Sequence, residues 1–244
     1  MLKGYFILIG MFLFSLMFLT CDQTENNMVE LDGAVIDSLM SDYNLANGPG
    51  AALTIIENGY IIYSKGYGLA NLEEDIPIIS GTNFRLASIT KQFTAMCIMI
   101  LQSRGQLNYE QTLTALFPNF PNYGNEITIR HLLHHTSGLR DYFSLIPENV
   151  TEQIHDDDVL SMMMEQTSTY FMPGSEYQYS NSGYAVLAMI VEQISGLSFA
   201  NFLSENIFIP LNMAGSIAFE EGISTVQSRA YGYSYSGDHY VMND

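Results

Sequence analysis

Positive charge is scarce in this 244-residue sequence, in which eight Lys and Arg residues stand against 26 Asp and Glu residues. The formal net charge of −18 repels phosphate backbones, so a nucleic acid is not expected as a partner. Only three of the cations are lysines, namely Lys3, Lys65 and Lys91. A lysine within an apolar stretch of such a chain therefore requires a functional explanation.

Cysteine is nearly absent as well, since the chain has only Cys21 and Cys97. Cys97 lies in an apolar helical stretch, where a free cysteine behaves as a small hydrophobe, and it is predicted to pack in a core. Cys21 follows a leader sequence. Two cysteines placed in this way exclude a disulfide framework.

The N-terminus has the pattern of an export signal. Lys3 precedes an uncharged and almost wholly apolar run over residues 5–20, which predicts a signal peptide at 1–21. Cys21 stands where bacterial lipoproteins carry a lipidated cysteine, although Phe18 occupies a position where Leu is usual. We expect lipidation at Cys21 and a polar tether over 22–30, with an uncleaved membrane anchor as the alternative. The bacterial membrane is then a partner, and the protein is periplasmic or on the cell surface.

The rest of the chain alternates strand-like and helical patterns. Residues 51–57 and 60–67 flank Asn58-Gly59, a strong signal for a β-hairpin, and residues 68–83 resemble a loop. Apolar spacing predicts six helices, at 29–45, 88–103, 127–135, 156–166, 182–194 and 199–207. Residues 231–241 alternate like a returning strand or hairpin. This order predicts an α/β layer with a helical insertion.

Ser88 and Lys91 are the residues most suggestive of chemistry. They are three positions apart, so on a helix they project from one face. In the first helical turn, unpaired backbone N–H groups and the helix dipole favour an oxyanion at Ser88. A lysine buried behind a serine loses proton affinity and can accept the serine proton. The pair is a weak signal alone, but this helix is otherwise apolar.

Tyr179 and Asn181 form a second candidate pair. A tyrosine held against a lysine ammonium has its phenolate favoured and becomes a plausible general base. The Asn181 amide offers donors and an acceptor, which suit a substrate carbonyl and the lysine. Without the serine–lysine pair, a Tyr/Asn-rich loop leading into a helix explains the segment equally well.

Three ordered segments together resemble one known family. They are Phe84–Lys91, the stretch His131–Leu139 (HLLHHTSGL), and Phe171–Gly174 running on to Tyr179-Ser180-Asn181. In this order they are similar to the serine β-lactamase-related family of class C β-lactamases, D,D-carboxypeptidases, esterases and peptidases. The resemblance implies an α/β fold of the β-lactamase/transpeptidase type over 31–244. Its antiparallel sheet is flanked by helices and joined to an all-helical domain, with the site between them.

The resemblance also implies roles for the candidate residues. Ser88 is the expected nucleophile, Lys91 and Tyr179 share the base role, and Asn181 binds the substrate amide. The Tyr-Ser-Asn form, in place of Ser-Asp-Asn, points to the class C and esterase branch. The implied activity is acyl-enzyme hydrolysis of a β-lactam, a D-Ala-D-Ala peptide or an ester, without metal or cofactor.

One family motif is not found. The pattern Lys or His, any residue, then Gly has no match between Gly196 and Asp244, although the family carries it on a strand that supplies the second oxyanion donor. We therefore expect the C-terminal strands to be missing from this chain and its domain to be incomplete. Loss of one oxyanion donor lowers turnover by roughly 100- to 1000-fold in serine hydrolases.

Two alternatives belong to other functional classes. His131 and His135 are four residues apart, as zinc ligands on a helix can be. However, Leu132 and His134 stand where metalloprotease patterns require Glu. A structural role for this helix, which ends at residues 136–138, is therefore favoured over a metallohydrolase site. The second alternative is a non-catalytic, surface-tethered binding module that keeps the fold. The missing strand favours it, and retention of the four site residues opposes it.

Lipidation at Cys21 is directly testable. Labelled palmitate is expected to enter the wild-type protein and not the Cys21→Ser variant. Because a single acyl chain binds a membrane only marginally, the mature N-terminus is expected to carry more than one. Protein recovered from the cytosol with Met1 intact would contradict both lipidation and secretion.

Overall fold

A computed structural model describes residues 31–243. The expected signal peptide at 1–21, the lipidated Cys21 and the tether at 22–30 lie outside the described residues. The chain divides into two compact units, the first ending at Leu39 and the second beginning at Met40. Helix α1 (Gly33–Leu39) of the first unit follows Asp32, whose carboxylate accepts a hydrogen bond of 2.9 Å from the Ala34 N–H. It is shorter than the predicted helix at 29–45.

The predicted hairpin at Asn58-Gly59 is present. Strands β1 (Ala51–Glu57) and β2 (Tyr60–Tyr67) pair antiparallel. The two turn residues have φ of 51° and 82°, in the left-handed region that the Asn-Gly pair tolerates. Local turn chemistry was therefore sufficient to locate this hairpin.

The prediction of a simple loop at 68–83 is wrong in part. Strands β3 (Leu69–Asn71) and β4 (Ile76–Pro77) form a small antiparallel pair within it. Strands of three and two residues are too short to show period-two alternation, so no sequence pattern marks them. The returning hairpin is β5 (Tyr233–Ser236) with β6 (His239–Met242), as residues 231–241 predicted.

The strands of the described chain pair two by two, as β1–β2, β3–β4 and β5–β6. The β5–β6 pair is nevertheless connected by hydrogen bonds to the β3–β4 pair. The Tyr231 N–H donates to the Ala70 carbonyl at 2.8 Å, and the Tyr233 hydroxyl accepts from the Leu72 N–H at 2.9 Å. The end of the described chain thus returns to the early strands, as the strand–helices–strand order predicted.

The α-helices of the second unit match the predicted segments with shifted ends, apart from the four-residue helix Leu113–Leu116, which is too short to show helical spacing and was not predicted. They are α2 (Thr90–Ser103), α3 (Leu113–Leu116), α4 (Ile129–Leu133), α5 (Asp156–Met164), α6 (Asn181–Ser195) and α7 (Phe199–Leu203). The predicted helix at 199–207 divides into α7 and a π-helical turn, Ser204–Phe208. Helix α6 is capped at both ends. The Ser180 hydroxyl accepts from the Gly183 N–H at 2.9 Å, and Gly196 ends the helix with φ of 71°.

Helix α6 is the centre of the core and contacts α2, α4, α5 and α7. Its residues Val186, Leu187, Ile190 and Val191 are fully buried. Cys97 on α2 is also fully buried, as predicted from its apolar neighbours. Because four helices pack on α6, its N-terminal end at Asn181 is held in a fixed place.

Within residues 31–243, no single helix has the length and apolar composition of a membrane span. In this same range, α6 together with residues 199–208 passes that test as a pair bent by 79°.

Gly66 offers a test of how closely the early strands pack. A Cβ at Gly66 would lie 2.0 Å from the Ile78 carbonyl oxygen, a backbone atom that cannot rotate away. We expect Gly66→Ala to lower the free energy of unfolding by more than about 2 kcal/mol, measured by urea denaturation. Gly81→Ala is the matched control, since a Cβ there meets nothing within 4 Å. Equal unfolding midpoints for the two variants would contradict this packing.

Candidate active site

Ser88 lies in a 3₁₀ turn, Ala87–Ile89, that leads directly into α2. The helical spacing predicts Ser88 within the first turn of the α-helix, whereas the structure places it in a tighter turn just before Thr90. The preceding residue, Ala87, has φ of 45°. This left-handed conformation costs a non-glycine residue about 1–2 kcal/mol, and such strain is concentrated at functional sites. The turn leaves the Ser88 side chain exposed.

Lys91 lies one turn after Ser88 and connects two helices. Its Nζ donates to Ser88 Oγ at 3.3 Å and to Asn181 Oδ1 at 2.7 Å. Asn181 is the first residue of α6, and the packing of α2 against α6 brings the two side chains together. The predicted pairing of this lysine with the asparagine is therefore present as a direct hydrogen bond.

Tyr179 reaches the same serine from the segment before α6. Its hydroxyl donates to Ser88 Oγ at 2.6 Å, and the Lys91 Nζ lies 4.7 Å from its ring centroid. Hydrogen bonding with Lys91, and secondly with Ser88, lowers the pKa of the Tyr179 phenol below its usual value. The four predicted side chains, Ser88, Lys91, Tyr179 and Asn181, thus form one continuous cluster.

The cluster opens into a cavity of about 390 Å³. Ser88, Lys91 and Asn181 line it together with apolar and aromatic side chains, so its walls are about equally polar and apolar. The apolar and aromatic members include Tyr142, Phe143, Ile154, Val159, Tyr184, Ala185, Ala188 and Phe199. Asp156 also lines it. Burial first, then the nearby Glu192 and Asp157, raise the pKa of Asp156 to about 6. The cavity is large enough for a small acyl group beside Ser88.

Two residues of the site were not identified from the sequence. His135 Nδ1 accepts a hydrogen bond from the Ser180 N–H at 3.1 Å, and the His135 ring lies 4.7 Å from that of Tyr179. Tyr184 is one turn after Asn181 on α6, and the Lys91 Nζ lies 5.6 Å from its ring centroid. Helical spacing from Asn181 could have indicated Tyr184. No local pattern could have indicated the contact of His135, which lies 45 residues from Ser180.

The two histidines considered as zinc ligands have separate partners. His131 Nδ1 lies at the start of its own helix, 3.1 Å from the Glu126 carbonyl and 3.3 Å from the Thr128 nitrogen. The corresponding nitrogen of His135 faces Ser180 instead. In the part of the chain that the structure describes, no group of three His, Cys, Asp or Glu side chains is placed to hold a metal ion.

The sequence of this chain is similar to that of known proteins. A family model described as Beta-lactamase matches residues 36–241. Penicillin-binding protein 4* of Bacillus subtilis is 38% identical over 195 residues, which cover 77% of this chain and 43% of that protein. The chain therefore spans less than half the length of this curated relative.

Solved structures show the same fold. The penicillin binding protein from Bacillus halodurans superposes with a TM-score of 0.72 at 30% identity, over 85% of this chain and 63% of that one. The octameric penicillin-binding protein homologue from Pyrococcus abyssi gives 0.71 at 27% identity, over 86% and 49%. The fold class predicted from the ordered motifs is confirmed by these structures.

The lowered pKa of Tyr179 leads to a prediction. If the ammonium of Lys91 is its main cause, Lys91→Met will raise the Tyr179 pKa further than Ser88→Ala does, because the phenolate loses its largest stabilising partner. ¹³C-labelled tyrosine followed by NMR against pH measures this. The Tyr179→Phe variant identifies the resonance among the 16 tyrosines. An unchanged Tyr179 titration in Lys91→Met would contradict the assignment.

Proposed function

Because this chain belongs to the beta-lactamase family, we propose that it carries the machinery of a serine acyl-hydrolase with Ser88 as its nucleophile. The observation that carries the proposal is the convergence of two proton-handling groups on one oxygen. Tyr179 and Lys91 hydrogen-bond Ser88 Oγ at 2.6 and 3.3 Å. A nucleophile within reach of a base that is itself oriented by a third group is the signature of covalent catalysis.

In the acylation step, the Tyr179 phenolate accepts the Ser88 proton while Oγ forms a bond to the substrate carbonyl carbon. The C–N bond of a lactam or peptide, or the C–O bond of an ester, then breaks. Tyr179 returns the proton to the leaving nitrogen or oxygen, which completes the acyl-enzyme. The Lys91 ammonium stabilises the phenolate through this cycle, in keeping with the lowered pKa of Tyr179.

Deacylation follows the same route with water as the nucleophile. Water gives its proton to the Tyr179 phenolate and attacks the acyl carbon, and the proton then passes to Ser88 Oγ as the ester bond breaks. Asn181 keeps Lys91 in place through its Oδ1, at 2.7 Å, and its amide N–H groups are available to a substrate carbonyl. The backbone N–H of Ser88, in the 3₁₀ turn before α2, is the proposed oxyanion donor.

The substrate class that we propose is an acyl compound with an amide or ester carbonyl, namely a β-lactam, a D-Ala-D-Ala peptide or an ester. Relatives named as penicillin-binding proteins support reactivity toward β-lactams. The cavity beside Ser88, with a volume of about 390 Å³, supports a compact substrate over an extended protein chain. The activity of the whole protein is part of this proposal, since the chain spans 43% of its curated relative.

A non-catalytic binding module that keeps the fold is the second candidate. It gains support from the exposed position of Ser88 and Tyr179, which leaves part of the site open to solvent. It predicts reversible ligand binding without a covalent adduct. Export and attachment to a bacterial membrane through Cys21 remain proposals that apply to both candidates.

Covalent labelling separates these two candidates. We expect a fluorescent fluorophosphonate or a fluorescent penicillin to label the protein, and Ser88→Ala to abolish the adduct, as read by intact-mass analysis. Lys91→Ala and Tyr179→Phe are each expected to slow labelling by about 100-fold or more, the scale of general-base catalysis.

Ser103→Ala is the matched control, because Ser103 lies at the far end of the same helix and its hydroxyl bonds only the Ile100 carbonyl. It is expected to label like the wild type. Equal labelling of the wild type and Ser88→Ala would overturn the proposed function. A chelator is expected to leave the labelling rate unchanged, and inhibition by it would revive the metallohydrolase alternative.

A further inference from the structure

His135 has no step in the proposed mechanism, yet its backbone is tied to the segment that carries Tyr179. It follows α4 in the left-handed conformation, with φ of 58°. Its N–H donates to the Leu132 carbonyl at 3.2 Å, and its carbonyl accepts from the Gln178 N–H at 2.9 Å. The backbone of His135 therefore connects the end of α4 to the residue directly before Tyr179.

The His135 side chain binds the other side of Tyr179. Its Nδ1 accepts from the N–H of Ser180, the residue directly after Tyr179, at 3.1 Å. The imidazole ring also contacts the phenol rings of Tyr179 and Tyr184, with centroids 4.7 and 4.9 Å away and interplanar angles of 32° and 30°. One histidine thus holds both chain neighbours of Tyr179 and its ring.

We infer that His135 is a positioning residue, whose neutral imidazole holds the Tyr179 hydroxyl at Ser88 Oγ. This inference rests on the proposed function, because positioning matters only if Tyr179 acts on Ser88. A displacement of about 1 Å of a reacting group is enough to lower a rate by roughly 100-fold. The 2.6 Å contact between Tyr179 and Ser88 leaves little room for such a displacement.

The bond to Ser180 requires an unprotonated Nδ1, since a protonated nitrogen cannot accept. The groups that face the imidazole are Lys91 from α2, Tyr177 and Tyr179 from the segment before α6, and Tyr184 from α6. Burial first, and then the Lys91 ammonium, lower the pKa of His135. The net effect keeps the imidazole neutral near pH 7.

Acid then has a defined effect on the site. As the pH falls through the lowered pKa of His135, Nδ1 becomes a donor that faces the Ser180 N–H, and the bond between them is lost. A second positive charge also appears beside Lys91. Both changes release Tyr179 from its position, so the rate of acylation falls at low pH through His135 in addition to the titration of Tyr179.

Two substitutions test the inference on the full chain. His135→Asn keeps a residue type that tolerates positive φ but removes the ring, and His135→Phe keeps a ring but removes the acceptor. Acylation by a fluorescent fluorophosphonate is expected to slow by about 10- to 100-fold in each. The Tyr179 pKa, followed by NMR of ¹³C-labelled tyrosine, is expected to rise as the phenol leaves Lys91. The low-pH loss of acylation is expected to become less steep than in the wild type, since neither Asn nor Phe titrates.

His134→Asn is the matched control, since His134 is the exposed neighbour of His135 at the end of α4, and it is expected to match the wild type in all three measurements. Folded His135 variants with a wild-type acylation rate would overturn the inference. Slower acylation with an unchanged Tyr179 pKa would overturn it too, and unfolding of both variants would show a purely structural role. If Ser88→Ala still labels, the proposed function fails, and the Tyr179 resonance alone then tests whether His135 positions it.

Discussion

The hydrogen bond from Lys91 to Asn181 is the contact on which the site depends. It joins the first turn of α2 to the first residue of α6 across 2.7 Å. Through it, Tyr179, which precedes α6, is brought within hydrogen-bond distance of the oxygen of Ser88, which precedes α2. Without the packing of these two helices, Ser88 and Tyr179 would be unrelated residues 91 positions apart.

Helix α6 can carry this contact because most of its apolar side chains are buried. Its apolar side chains fill the middle of the helical core, and Ser180 and Gly196 satisfy its ends. A helix packed on several sides cannot shift without opening cavities, which cost about 2–5 kcal/mol for each large side chain. The polar cluster therefore lies at the end of a rigid element, as precise catalytic geometry requires.

The surroundings of Lys91 are aromatic as well as polar. The rings of Tyr179 and Tyr184 lie 4.7 and 5.6 Å from its Nζ, so they stabilise the ammonium through their π-electrons. A neutral His135 beside these rings adds no repulsion. The ammonium in turn favours the phenolate of Tyr179, so the charge that the fold holds in place is the one that the proposed mechanism uses.

The lysine-poor composition of the chain also bears on this arrangement. Lys91 is one of only three lysines, and it lies where two helices and a capping segment meet. Although the protein is strongly acidic, the immediate partners of the Lys91 ammonium are uncharged. They are a serine hydroxyl and an amide oxygen. A neutral acceptor holds the ammonium without neutralising it, so its field remains available to Tyr179.

The sequence by itself determined the features that depend on a few neighbouring residues. Asn58-Gly59 specified a hairpin, the three-residue spacing specified that Ser88 and Lys91 share a face, and apolar neighbours specified the burial of Cys97. Turn chemistry and helical periodicity act over four or five residues, so they are visible in the chain. The order of the motifs also identified the family, because several matches in sequence are far more specific than one.

Only the tertiary structure decided the rest. The 3₁₀ turn at Ser88, the short β3–β4 pair and the π-helical turn after α7 are adjustments to packing that no local pattern records. The hydrogen bond between His135 and Ser180 joins residues 45 positions apart, and the pKa of Asp156 is raised first by burial and then by Glu192 on another helix. Burial and long-range hydrogen bonds depend on how the helices and strands pack together. That packing is determined by the whole core and not by any one segment.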